Sequence, residues 1–219
     1  MKKLTLQILT AAVGLTAAQV AVFAAEPAAA GEGGRTGAAF SAATQAIARH
    51  DDHAAAADLR QAAAVLEHEA ARAGGDAKRA LVAARADLES SASALDHGTE
   101  QTARELDRSF ARADHAMALA QREQAAQSWS EKAYARSGRE LKEAADSLAS
   151  AGDWAGGRAK AAAHAAAAGA DAVGDKLARG GHWARDEVAS GFDSLGRGLD
   201  DLGRAIGVNS KARSLPVGG

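Results

Sequence analysis

The feature that most constrains this chain is a run without proline over residues 28–215, in which apolar residues return every three or four positions. Three stretches carry the rhythm most clearly: Ala77, Leu81, Ala84, Leu88, Ser91 and Leu95; Leu106, Phe110, Ala113, Met117 and Ala120; and Val188, Phe192, Leu195, Leu199, Leu202 and Ile206. Such spacing lines up one apolar stripe on an α-helix, and the stripe has to be covered by other helices. Alanine and serine at seam positions let two backbones come close. The expected fold is therefore all-α, an antiparallel helical bundle with heptad-like alanine/leucine seams and crossings of about 20°.

Glycine and a few capping residues supply the punctuation. They place helices over 38–49, 53–73, 77–96, 100–131, 134–151, 158–178 and 183–206. Gly74-Gly75 before Asp76, and His97-Gly98 before Thr99, read as a helix stop followed by an N-cap. Residues 25–37 read as a flexible linker from their glycine content, and 207–219 as a flexible tail.

Much of the 47% hydrophobic content is alanine, which favours helix but buries little apolar area. From Ala25 onward, Leu, Ile, Val and Phe together number 25 in 195 residues, so the core is expected to be thin and the stability marginal. The same composition suggests a competing reading, a stress-protective and partly disordered helix-former.

Residues 1–24 have the form of a secretory signal peptide. Met1, Lys2 and Lys3 are followed by an apolar stretch, and Val22-Phe23-Ala24 offers small residues for cleavage after Ala24. Thr5, Gln7, Thr10, Thr16 and Gln19 dilute the stretch below what an uncleaved anchor needs. A periplasmic or secreted product is expected. Cleavage removes two of the 26 basic residues and none of the 28 acidic ones, leaving a net charge of −4. Without a basic excess, neither nucleic acid nor an anionic membrane surface is an expected partner. Cysteine is absent, which excludes disulfides in a compartment that permits them.

The sequence also repeats with a shift of 82 residues. Leu59 falls on Leu141, Leu66 on Leu148, Gly74-Gly75 on Gly156-Gly157, and Lys78 on Lys160. Leu95 falls on Leu177, Gly98 on Gly180, Glu105 on Glu187 and Phe110 on Phe192. Leucines, paired glycines and a phenylalanine in one register point to a tandem duplication with units 38–121 and 122–206.

Tyr134, Leu141 and Ala144, with Ala55, Leu59 and Ala62 in the other unit, resemble part of a tetratricopeptide-type helical hairpin. The resemblance covers less than a quarter of the chain. The family's first-helix Trp, Leu-Gly and Tyr and its closing proline are missing, and the period here is 82 where the family's is 34. It implies helical hairpins and a protein-binding role, and it carries over no peptide-binding residues. The whole chain also resembles bacterial exported alanine-rich helical-bundle proteins.

His50-Asp51-Asp52-His53 is the densest group of candidate ligands. Two imidazoles three apart can hold zinc, copper or nickel when a third ligand converges, and an up-down-up bundle brings His97 to the same end. The plainer expectation is that Asp51 or Asp52 caps the next helix. Glu67-His68-Glu69-Ala70-Ala71-Arg72 approaches the helical zinc-protease pattern, but Arg72 stands where the second histidine belongs. These residues are expected on a solvated charged face, and the isolated His115, His164 and His182 on the surface. No serine elbow or phosphate-binding glycine loop is present, and Gly31-Glu32-Gly33-Gly34 follows no strand.

No catalytic constellation and no cofactor are expected. Trp129, Trp154 and Trp183 sit near helix ends, where rings close a thin bundle or anchor a partner. The expected function is helix-mediated association, with itself or with another protein of the cell envelope. The alternative is periplasmic metal buffering or sensing of a divalent metal through His50, His53 and His97.

Overall fold

The computed structural model describes residues 32–99 and 101–208. Residues 1–24, expected to be a signal peptide, most of the expected linker and the expected tail from 209 onward lie outside the described residues. Seven α-helices are described: α1 (Glu32–Ala48), α2 (Asp52–Arg72), α3 (Gly75–Asp96), α4 (Ala103–Ser130), α5 (Tyr134–Ala155), α6 (Gly157–Ala178) and α7 (Arg185–Ile206).

The ends are set by local chemistry. Asp51 caps α2, its side chain accepting from the Ala54 amide at 3.0 Å. Thr102 and Glu105 form a reciprocal capping box at the start of α4. The cap of α4 is therefore Thr102, three residues beyond the Thr99 expected from sequence. Likewise Asp76 lies inside the first turn of α3, whose N-cap is Gly74. α7 stops at Gly207 in the left-handed region (φ 75), where Val208 N donates to the Gly203 carbonyl at 2.7 Å.

Consecutive helices pack as antiparallel neighbours. The pairs that meet across these neighbours include Arg85 with Glu67, Arg112 with Asp87, Ser147 with Gln121, Lys142 with Asp171, and Lys176 with Glu187. α4 is the spine, touching α1, α2, α3, α5 and α7, while α5 also touches α1 and α7. The core consists of widely spaced large side chains embedded in alanine. Phe40, Leu59, Leu66, Leu81, Leu88, Phe110, Met117, Leu141, Leu148, Leu177, Phe192 and Leu195 are fully buried. Gly138 and Gly174 let α5 and α6 nearly touch, since a Cβ at Gly138 would lie 2.5 Å from the Gly174 carbonyl oxygen.

α1 begins at Glu32, six residues before the helix expected near 38. Gly33, Gly34 and Gly37 argue against a helix by propensity alone. Packing outweighs them: Gly33 sits against Ser147, and the Thr36 hydroxyl donates to the Gly33 carbonyl at 2.9 Å. The apolar stripe of α7 faces inward, with Val188, Phe192, Leu195, Leu199, Leu202 and Ile206 all buried. Among the described residues, the large hydrophobic side chain left exposed is Val82.

Helix starts fall at matched intervals. α2 and α5 begin at 52 and 134, α3 and α6 at 75 and 157, and α4 and α7 at 103 and 185, each pair 82 residues apart.

Candidate functional site

The α2–α3 hairpin brings His53 and the end of α3 together. His53 Nδ1 lies 3.0 Å from Asp96 Oδ1, and Arg60 pairs with the other carboxylate oxygen. Arg60 and His53 together hold the Asp96 carboxyl below its usual range. His97 Nδ1 donates to the Ser93 carbonyl at 2.7 Å, turning that ring back onto its own helix. His50 is exposed and occupies a left-handed turn, φ 58, between α1 and α2. His53 and His97 thus share an end of the bundle. Among the described residues, no group of three or more His, Asp or Glu side chains is arranged to hold a metal ion.

The polar chemistry that sequence reading missed lies along α4. Asp114 and His115 are neighbours, both 1% exposed, and they serve opposite seams. The expectation of a surface position for His115 is corrected: the ring is buried because α7 closes over it. Its Nε2 meets the Leu199 carbonyl at 3.0 Å, so that nitrogen carries the proton. Nδ1 is buried with no hydrogen-bond partner, and burial holds the imidazole pKa below its usual value. About two turns further on, Arg122 Nε donates to the Phe192 carbonyl at 3.2 Å. Burial works against the Arg122 charge, while Asp193, Asp200 and Glu123 favour it.

On the other seam, Asp114 faces α1 and α5. The Ser150 hydroxyl donates to Oδ2 at 2.5 Å, and Thr36 Oγ1 lies 3.4 Å from Oδ1. Desolvation raises the carboxyl pKa to about 7, with Ser150, Thr36 and the Trp154 indole opposing the shift. Phe40 stacks on Phe110 at 4.4 Å beside this group, and Trp154 meets Phe110 edge-on at 5.0 Å. At the far end, Trp129, Tyr134 and Trp183 form a second aromatic cluster with centroids 4.9 Å apart. Each tryptophan therefore packs within its own bundle.

A third polar group joins α2, α4 and α5. Glu69, expected on a solvated face, is buried and accepts from Gln124 Nε2 at 2.8 Å while pairing with Arg72. The Ser128 hydroxyl donates to Glu140 at 2.5 Å and accepts from Arg136 Nε at 2.8 Å. Beside them is an open cleft of about 320 Å³ lined by Arg72, Gln124, Gln127, Arg136 and Glu140. A second cleft, of about 430 Å³, lies between the start of α4, the α5–α6 turn and the end of α7. Its rim carries Arg104, Asp107, Arg108 and Asp153 over Trp154 and Ile206.

Sequence carried one usable signal for the buried groups. In Phe110–Ala120 the register is apolar except at Arg112, Asp114 and His115, and a helix with apolar residues on nearly every side is buried all round. What the groups do is join helices through neutral or compensated hydrogen bonds. No helix of the described residues is long and apolar enough to cross a membrane. Comparison with protein-family models, with curated proteins and with solved structures finds no match.

Proposed function

We propose that this chain is a non-enzymatic, exported helical-bundle protein that works by helix-mediated association, with itself or with another protein of the cell envelope. The observation that carries this reading is the outward face of α6. Between Lys160 and Asp171, the one exposed side chain larger than alanine is His164. Ala161, Ala165, Ala168 and Ala172 are exposed at helical spacing along that face, with Gly169 beside them. Small side chains let a second helix approach to about 8 Å, the short end of the interhelical range.

The same reading includes a tandem duplication of about 82 residues. It is supported by the matched helix starts and by His50 and Lys132, which are 82 apart and both in left-handed turns (φ 58 and 60). Export rests on the leader pattern of residues 1–24, and sequencing the N-terminus of protein recovered from the envelope fraction tests it.

Sedimentation of the mature chain at several concentrations tests association. A mass that rises with concentration, and returns to the monomer value in Ala165→Lys, supports the α6 face. A strict monomer that retains no envelope protein overturns the reading. Titration with zinc, copper and nickel, repeated after replacing His50 and His53, tests the competing metal-buffering role.

A further inference from the structure

The wider of the two clefts, about 430 Å³, lies where the start of α4, the α5–α6 turn and the end of α7 meet. That volume is in the range that takes a small organic molecule. Its floor is apolar. Trp154 is half-buried: its ring meets Phe110 at 5.0 Å and Phe40 at 6.3 Å, and the same residue lines the cleft with Ile206, Ala159 and Ala205.

The rim is charged, and its charges are not equally occupied. Asp153 is held by Lys160 Nζ and His164 Nε2, each at 2.9 Å. Glu105, on the first turn of α4, is engaged in the Thr102 cap, and Arg204 at the end of α7 pairs with Asp201. Arg104, Arg108 and Asp107 enter no ion pair among the described residues, although Glu105 feels the charge of Arg108 through space. Arg104 and Arg108 are exposed and one turn apart, so both guanidiniums serve the same side of α4. What is left on the rim is two cations against one carboxylate.

The other cleft gives the contrast. Arg72 and Gln124, which line it, stand 82 residues before Trp154 and Ile206. There the lining cations are paired, Arg72 with Glu69 and Arg136 with Glu140. Its lining holds no aromatic ring.

We propose that the wider cleft binds a small planar aromatic molecule bearing one carboxylate, with the ring against Trp154 and Ile206 and the carboxylate on Arg104 and Arg108. A flat ring buries apolar area against an indole in offset or edge-on contact. A guanidinium presents paired N–H donors that match the two oxygens of a carboxylate. A second negative charge would be set against Asp107, which favours the monoanion. The cleft shares no lining residue with the outward face of α6, so this binding stands apart from association through that face.

Titration of the intact chain with naphthoate, followed by the NMR signals of the indole and side-chain amide groups, tests this. The Trp154 indole N–H is expected to shift saturably, while the Gln124 and Gln127 amides of the other cleft stay in place. Naphthamide, the same ring without the charge, is expected to bind about tenfold more weakly. The double variant Arg104→Gln, Arg108→Gln changes two exposed side chains. It is expected to lower naphthoate affinity by about tenfold and to leave naphthamide affinity unchanged. No saturable shift at Trp154 up to about 5 mM naphthoate overturns the proposal. So does equal affinity for naphthoate and naphthamide, or naphthoate affinity that survives the double variant.

Discussion

α4 presents two buried seams, and they solve the burial of polar groups in opposite ways. Toward α1 it offers an acid, Asp114, met by hydroxyl groups of Thr36 and Ser150. Toward α7 it offers bases, His115 and Arg122, met by the backbone carbonyls of Leu199 and Phe192. Burial raises the acid's pKa to about 7 and lowers the imidazole's below its usual value. The acid seam is thus weakened as pH rises from about 3.8 through about 7, and the histidine seam as pH falls through 6.5. The glycines follow the same division: Gly196 and Gly203 on α7 make room for the guanidinium and imidazole. The α1 seam instead fills the corresponding space with stacked rings, Phe40 on Phe110. Phe40 and Arg122 are 82 apart in sequence, as are Phe110 and Phe192.

The largest effect separates the seams by how far damage spreads. Phe192→Ala empties a fully buried site on a helix that touches α4, α5 and α6, and is expected to cost about 3–5 kcal/mol in denaturant unfolding. Phe40→Ala removes a ring of the same size, but α1 packs chiefly on α2 and meets α4 and α5 only lightly. Its global cost is expected to be smaller, with the loss appearing as faster exchange of α1 amides.

A medium effect comes from the glycines. Gly198→Ala drives a methyl into Ala166 and within 2.9 Å of Leu148 Cδ2, between α6, α5 and α7. The expected loss is about 1–2 kcal/mol, overpacking outweighing the gain in helix propensity. Equal stability of this variant and the parent would mean that α7 rides further from α6 than described.

The α7 seam is expected to weaken in acid. A histidine whose folded pKa lies below 6.5 binds its proton more weakly in the folded state, so stability falls as pH drops through and below 6.5. His115→Gln keeps a donor for the Leu199 carbonyl and removes the titration. Its denaturation midpoint is expected to fall less on acidification than the parent's.

The smallest effect sharpens the comparison from the same helix. A Cβ at Gly196 meets only the Arg122 guanidinium, at 3.0 Å, and the end of a long side chain can give way. Gly196→Ala is expected to lie within about 0.5 kcal/mol of the parent, while the same change at Gly198 does not.

Most of the fold was legible because it depends on local spacing. The stripes through Leu81–Leu95, Leu106–Ala120 and Val188–Ile206 are the buried faces of α3, α4 and α7. Asp51 caps α2 as a turn aspartate before an alanine run should. Where reading failed, the deciding contact was distant in sequence. Glu69 reads as surface until Gln124 and Arg72 are placed beside it, 55 and 3 residues away. The start of α1 reads as linker until Ser147 is found against Gly33.

By itself the sequence determined the helical class, the helix boundaries to within a few residues, and which stripes turn inward, since periodicity and capping act over one or two turns. Only the tertiary structure decided that α4 is the spine and that Asp114 and His115 are buried back to back. A charged residue's state depends on what surrounds it in space, and in a chain this rich in alanine the same small methyl fits a core, a seam or the surface equally well.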